Sequence, residues 1–131
     1  SMSTILVNTL TGTSTAGSIA VTGEGNSTTT NLQQGLAKAW LGNALDSSQA
    51  ITGDTFNVSG FTDVATGYST HTLTNNMNTG ASTYSVQNTA AAQYPYHGLA
   101  DSSSVFRLRT VNDAGNSADG AKNATVHGDL A

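Results

Sequence analysis

From Phe56 onward the apolar and polar positions alternate with a period of two, the spacing of strands that bury one face. Phe56 and Val58 open this pattern, Gly60 reads as a bulge, and Phe61 resumes the apolar face. A second run sets Ser69, His71 and Leu73 against Tyr68, Thr70, Thr72 and Thr74. Tyr84-Ser85-Val86 predicts a third strand, residues 105–111 a fourth and Ala124-Thr125-Val126-His127 a fifth. In the fourth, Phe106, Leu108 and Thr110 share one face and Arg107, Arg109 and Val111 the other. Turn clusters at 63–67, 75–80 and 112–116 separate these runs, and the spacing predicts an antiparallel β-sandwich or small barrel.

The first half reads differently. Ile5-Leu6-Val7 and Ile19-Ala20-Val21 are short apolar clusters parted by a Thr/Gly/Ser-rich run, which suggests β segments too sparse to fold alone. Residues 1–30 are therefore expected to be an extended, shaft-like β segment that pairs with another chain or with the rest of a longer shaft; a flexible linker is the alternative. Thr30-Asn31-Leu32-Gln33 has the form of a capping box, and Leu32, Leu36 and Trp40 recur at i, i+4 and i+8. That pattern predicts a helix over 31–41 closed by Gly42-Asn43, within a helix and connection at 31–44, ahead of a β domain at 45–131. Leu32, Leu36 and Trp40 are the expected core or subunit-packing stripe, with a sugar-stacking platform the other use of Trp40.

Residues 90–104 show no clear period. They hold Tyr94, Tyr96, His97 and the chain's single proline, Pro95. This is the composition of a recognition loop, because tyrosine offers contact area at low entropic cost and Pro95 stiffens the chain. Tyr94, Tyr96 and His97 are accordingly the candidate contacts for a ligand or receptor. The alternative is that the tyrosines cover the end of the sandwich or pack between subunits.

Composition sharpens this picture. Ser, Thr, Asn, Gln and Gly make up about half of the 131 residues, while charged residues are only 9%. A chain so poor in large apolar groups gains little by burial against an ordering cost of roughly 1–2 kcal/mol per residue, so oligomerisation is expected. The net charge is −4 and the fixed cations are Lys38, Lys122, Arg107 and Arg109, too few for a basic stripe, which argues against nucleic acid. No apolar run approaches a bilayer span, so membrane insertion is not expected. Ser1 ahead of Met2 reads as a protease scar, with the chain starting at Met2 or excised from a longer protein, and the start lacks the features of a signal peptide.

No catalytic chemistry emerges. There is no cysteine, hence no disulfide framework or thiol chemistry. His71, His97 and His127 have no metal-type spacing, and the aspartates lie mostly in turns beside Gly or Ser. Gly23-Glu24-Gly25 is not a dinucleotide fingerprint, and no Gly-x-Ser-x-Gly elbow occurs. Asn26, Asn57 and Asn123 fall in Asn-x-Ser/Thr sequons, which a chain this rich in Ser and Thr produces by chance. The expectation is a protein that is not an enzyme, with no metal and no cofactor.

Taken in order, these segments resemble the C-terminal module of tail-fibre-like and other structural virion proteins of tailed phages, especially those of marine bacteria. The matching stretches are Gly17-Ser18-Ile19-Ala20-Val21-Thr22-Gly23, Gly35-Leu36-Ala37-Lys38-Ala39-Trp40, and Phe56-Asn57-Val58-Ser59 followed by Asp63. Residues 67–77, Tyr84-Ser85-Val86, residues 106–112 and Val126-His127-Gly128-Asp129-Leu130 continue the series. The chain departs from the pattern at Leu41-Gly42-Asn43 and at His71, where an apolar residue is usual. The resemblance implies a non-enzymatic, β-rich fold forming an intertwined homotrimer, located in the virion. It also implies contacts with other virion proteins and with a host surface glycan or outer-membrane protein. A secreted bacterial adhesin or carbohydrate-binding module is the competing class.

Overall fold

A computed structural model describes residues 3–15, 17–45, 50–79, 84–91 and 93–131. Ala16, Gly80 and Ala92, which fall in the Thr/Gly/Ser run, the third turn cluster and the 90–104 segment, lie outside the described residues. The chain divides into two compact units, 1–36 and 37–131.

In the first unit, β1 (Ala20–Thr22) and β2 (Thr29–Asn31) form an antiparallel pair, followed by the single-turn helix α1 (Leu32–Gly35). Asn26 adopts φ 58° in the intervening turn, a left-handed conformation that asparagine tolerates. The cap is Asn31, not Thr30: its Oδ1 accepts from Gln34 N at 3.2 Å, while its Nδ2 donates to the Gly17 carbonyl at 2.7 Å. Ile5-Leu6-Val7 is exposed and lies outside any strand.

The helix expected over 31–41 is therefore one turn long. Leu36 is already extended, at φ −90° and ψ 142°, and Gly42 and Asn43 lie in a strand instead of capping a helix. An isolated turn has little to propagate it, whereas the residues just beyond form β3 (Ala39–Leu45), with a full ladder to pair with. Ala39 and Leu41 are buried while Trp40 between them is 40% exposed, so the strand period has overridden the i, i+4, i+8 coincidence.

The second unit continues with β4 (Ala50–Ile51), β5 (Thr55–Phe56), β6 (Val58–Ala65), β7 (Tyr68–Leu73), β8 (Ser85–Ala91), β9 (Tyr94–Ala100), β10 (Val105–Val111) and β11 (Ala121–His127). It is mainly β and antiparallel, as the alternation predicts. One sheet has the order β6-β7-β10-β9; the other has the order β4-β3-β11-β8, with β5 also on β3. The bulge expected at Gly60 is present as a register shift between Val58 and Gly60. Phe106, Leu108 and Leu73 from the first sheet meet Leu41, Ala124 and Val126 from the second in one core. Phe61, His71 and Phe106 stand side by side across their sheet, with ring centroids 5.2 Å and 5.0 Å apart.

Polar side chains fasten what the ladders leave open. Asn57, at φ 58°, donates to the carbonyls of Lys38 (2.9 Å) and Asn75 (3.1 Å), which gives this sequon asparagine a structural role. Tyr84 is buried, and its hydroxyl, facing the carbonyls of Ser102 (2.9 Å) and Val105 (2.7 Å), pins the turn between β9 and β10. Burial, with Asp101 nearby, pushes its pKa up to about 12. Tyr84→Phe is expected to lower unfolding stability by about 1–2 kcal/mol, read from urea denaturation; an unchanged midpoint would show that the turn holds without this bond.

Candidate functional site

The outward face of the β6-β7-β10-β9 sheet carries the molecule's most distinctive surface chemistry. Arg109 stands between Tyr68 on β7 and His97 on β9 in the ladder, and Arg107 between Thr70 and Leu99. Strand alternation therefore puts both arginines on the face opposite Phe106 and Leu108. The Arg107 guanidinium lies 5.6 Å from the Tyr68 ring centroid, and that of Arg109 lies 5.0 Å from the ring of Tyr96. These are cation–π distances, so each arginine is held on an aromatic plate.

A β-bulge makes the second pair possible. The register between β9 and β10 shifts between Arg109, opposite His97, and Thr110, opposite Pro95, which leaves Tyr96 as the extra residue. A bulge re-aims side chains, and here Tyr96 and His97 come together with centroids 5.0 Å apart. At the same point the Asn88 amide reaches across from β8 and donates to the Arg109 carbonyl at 2.8 Å.

Ala65, Thr66, Tyr68, His97, Arg107, Arg109 and Ser117 line an open cleft of about 220 Å³. Arg109 Nη2 donates to Ser117 Oγ at 2.8 Å, and Arg107 forms an ion pair with Asp101 at the edge. Partial burial, reinforced by Arg109 and Arg107 and opposed by Asp101, lowers the His97 pKa, so the ring is neutral at physiological pH. The cleft thus combines two fixed cations, aromatic faces, a neutral imidazole and a hydroxyl. Such a set can hold an anionic group while stacking against an apolar ring face.

Of the residues singled out in the sequence, Tyr96 and His97 join this face. Tyr94 pairs with Val111, is 60% exposed and does not line the cleft. The segment expected to be a loop is largely the edge strand β9, because β10 offers it a partner ladder despite Pro95 and Gly98. Leu32 and Leu36 line an apolar cleft of the first unit with Leu10 and Ile19. Trp40 belongs instead to the second unit, opposite Phe56, and borders a shallow depression with Gln87, Thr89, Asn123 and Thr125. The three residues therefore do not share a helix face, since the helix ends at Gly35 and Trp40 lies in β3.

Sequence reasoning missed a polar cluster inside the core. Ser69, His71 and Lys122 are all fully buried. Burial first, then the charge of Lys122, lowers the His71 pKa to about 3, so the ring is neutral. The departure at His71 noted in the sequence was its visible trace. Among the described residues no group of three or more His, Asp or Glu side chains could hold a metal ion, and no helix is long and apolar enough to cross a membrane.

No family model matches the chain, and no curated protein or solved structure matches it.

Proposed function

We propose that this chain is a non-catalytic attachment module of a virion fibre or spike, and that it binds an acidic sugar chain on the host surface through the cleft of Tyr68, His97, Arg107 and Arg109, with Tyr96 beside it against Arg109 and His97. The observation that carries this reading is the pair of guanidiniums seated on tyrosine rings beside a neutral imidazole. Carboxylated or sulfated saccharides present both an anion and a flat C–H face, and this set complements both. A single shallow cleft binds weakly. Three copies in a homotrimer, and several fibres per particle, raise the effective affinity without new contacts.

The exposed Ile5, Leu6, Val7 and Leu10, with the apolar cleft lined by Leu32 and Leu36, support assembly of the first unit into that trimer. Light scattering tests it directly: the account expects three chain masses, and a stable 13.3 kDa species with unfolding independent of concentration would remove the trimer.

For the cleft, Arg109→Ala and Tyr96→Ala are each expected to weaken glycan binding about tenfold, on the order of 1.4 kcal/mol, with Tyr94→Ala close to wild type. Equal losses for all three, or none, would place binding elsewhere. The second reading, a secreted adhesin or carbohydrate-binding module, is favoured by exposed Trp40 beside Gln87, Thr89, Asn123 and Thr125. A gene lying away from tail and capsid genes would favour it over the virion.

A further inference from the structure

Arg107 and Arg109 lie on the same face of β10, about 7 Å apart along the strand, yet the fold treats them differently. Asp101, in the turn between β9 and β10, directs Oδ1 at both Nε and Nη2 of Arg107, the edge of a guanidinium that would otherwise recognise a carboxylate of the ligand. That turn is fixed. The Asp101 amide donates to the Val105 carbonyl at 2.9 Å, and the Tyr84 hydroxyl meets the same carbonyl at 2.7 Å. Arg109, by contrast, has no carboxylate partner among the described residues. Its Nη2 donates at 2.8 Å to the neutral hydroxyl of Ser117, which a β-bridge to Val111 holds in place, and its guanidinium lies 5.0 Å from the Tyr96 ring centroid. The two lysines of the chain, Lys38 and Lys122, are buried and offer the surface no substitute. One cation of the cleft is thus neutralised from within, and the other is positioned but uncompensated.

We infer that the cleft holds a single anionic group, seated at Arg109 and Ser117, and that Asp101 sets this limit by acting as the internal counter-ion of Arg107. The inference rests on the glycan reading of the cleft and narrows its ligand. A second anion on the same ligand, spaced to reach Arg107, must either displace Asp101 from a charge-assisted hydrogen bond or lie against its carboxylate, and that repulsion cancels what the guanidinium offers. His97, whose pKa is lowered by partial burial and then by Arg109 and Arg107, supplies no further positive charge at neutral pH. The ligand class that fits is a saccharide with well-separated single charges, such as a uronate alternating with neutral sugars, in preference to a densely sulfated chain. Asp101 is then a specificity-determining residue that need not touch the bound sugar.

The test uses the full chain, with the arginine side-chain Nε–H signals followed by NMR. Inorganic sulfate should shift Arg109 Nε–H and the Ser117 amide while leaving Arg107 in place. In Asp101→Asn, which keeps the size of the side chain and removes its charge, sulfate should shift Arg107 as well. With oligosaccharides, the wild type should bind a disulfated chain no more tightly than one carrying a single uronate. Asp101→Asn should strengthen binding of the disulfated chain about fivefold and change that of the uronate chain by less than about twofold. Equal sulfate shifts at Arg107 and Arg109 in the wild type overturn the inference, as does a gain in Asp101→Asn that is the same for both oligosaccharides. Should Asp101→Asn fail to fold, the sulfate titration of the wild type still decides. A sulfate response at Arg109 and Ser117 without a response to either oligosaccharide would remove the glycan reading and leave the anion seat standing.

Discussion

Lowering the pH from 7 to 3 is expected to remove about 4 kcal/mol of stability from the 37–131 unit through His71 alone. The folded pKa is about 3 against 6.5 for the free side chain, so between these values the unfolded chain binds a proton that the folded chain refuses. The contribution is complete above pH 6.5 and is lost progressively as the pH falls towards 3. The groups around the ring act in a consistent direction. Phe61 and Phe106 flank it and withhold water, and Lys122 on β11 repels a second positive charge. Asp63, the one acidic residue on the inward file of β6, is two positions from Phe61, the cross-strand partner of His71. Burial is the larger cause. His71→Phe keeps a ring in the aromatic row while deleting the titrating group. Its urea midpoint should therefore fall much less than that of the wild type between pH 7 and pH 4. Parallel curves for the two proteins would show that other groups drive acid unfolding.

The second large effect is expected at the β6–β7 turn. Gly67 has φ +68°, and a Cβ there would lie 2.5 Å from the Thr110 carbonyl oxygen and 2.7 Å from Ala118 N. Both are backbone atoms held in place: Thr110 N donates to Gly67 O at 2.9 Å, and Thr110 Oγ1 donates to the Ala118 carbonyl at 2.7 Å. Gly67→Ala therefore combines left-handed strain with a clash that cannot be relieved by a side-chain rotation, and a loss of about 3 kcal/mol or more is expected. Gly115 provides the control. Its φ is +79° but nothing lies within 4 Å of the position a Cβ would take, so Gly115→Ala should cost only the strain, roughly 1–2 kcal/mol. Denaturant unfolding of the two variants separates the terms; equal losses would mean that the clash at Gly67 relaxes freely.

The strands that pack by alternation were legible in the sequence. Ser69, His71 and Leu73 on β7, and Phe106, Leu108 and Thr110 on β10, are buried as their period of two predicts. β3 was not legible, because Leu36, Ala37, Lys38, Ala39 and Trp40 have good local helix propensity and the partner that claims Ala39–Leu45 as a strand, β11, lies some 80 residues further along the chain. β9 was masked by Pro95 and Gly98. Lys122 was counted only as one of four fixed cations, although its place in the file Lys122, Ala124, Val126 carried the signal that it points inward. At the site, the shared face of Arg107 and Arg109 could be read directly. The juxtaposition of Tyr68 with them could not, since it depends on the β7–β10 register and on a bulge with no sequence signature of its own.

The most direct measurement is a titration of the isotopically labelled chain with acidic and neutral oligosaccharides, followed by backbone amide NMR. The account predicts that a uronate- or sulfate-bearing oligosaccharide shifts the amides around Tyr68, Tyr96, His97, Arg107, Arg109 and Ser117, that added salt weakens the effect, and that neutral oligosaccharides leave these amides in place. Shifts confined to the surface around Trp40, Gln87 and Thr125, or a response to neutral sugars that is indifferent to salt, would contradict it.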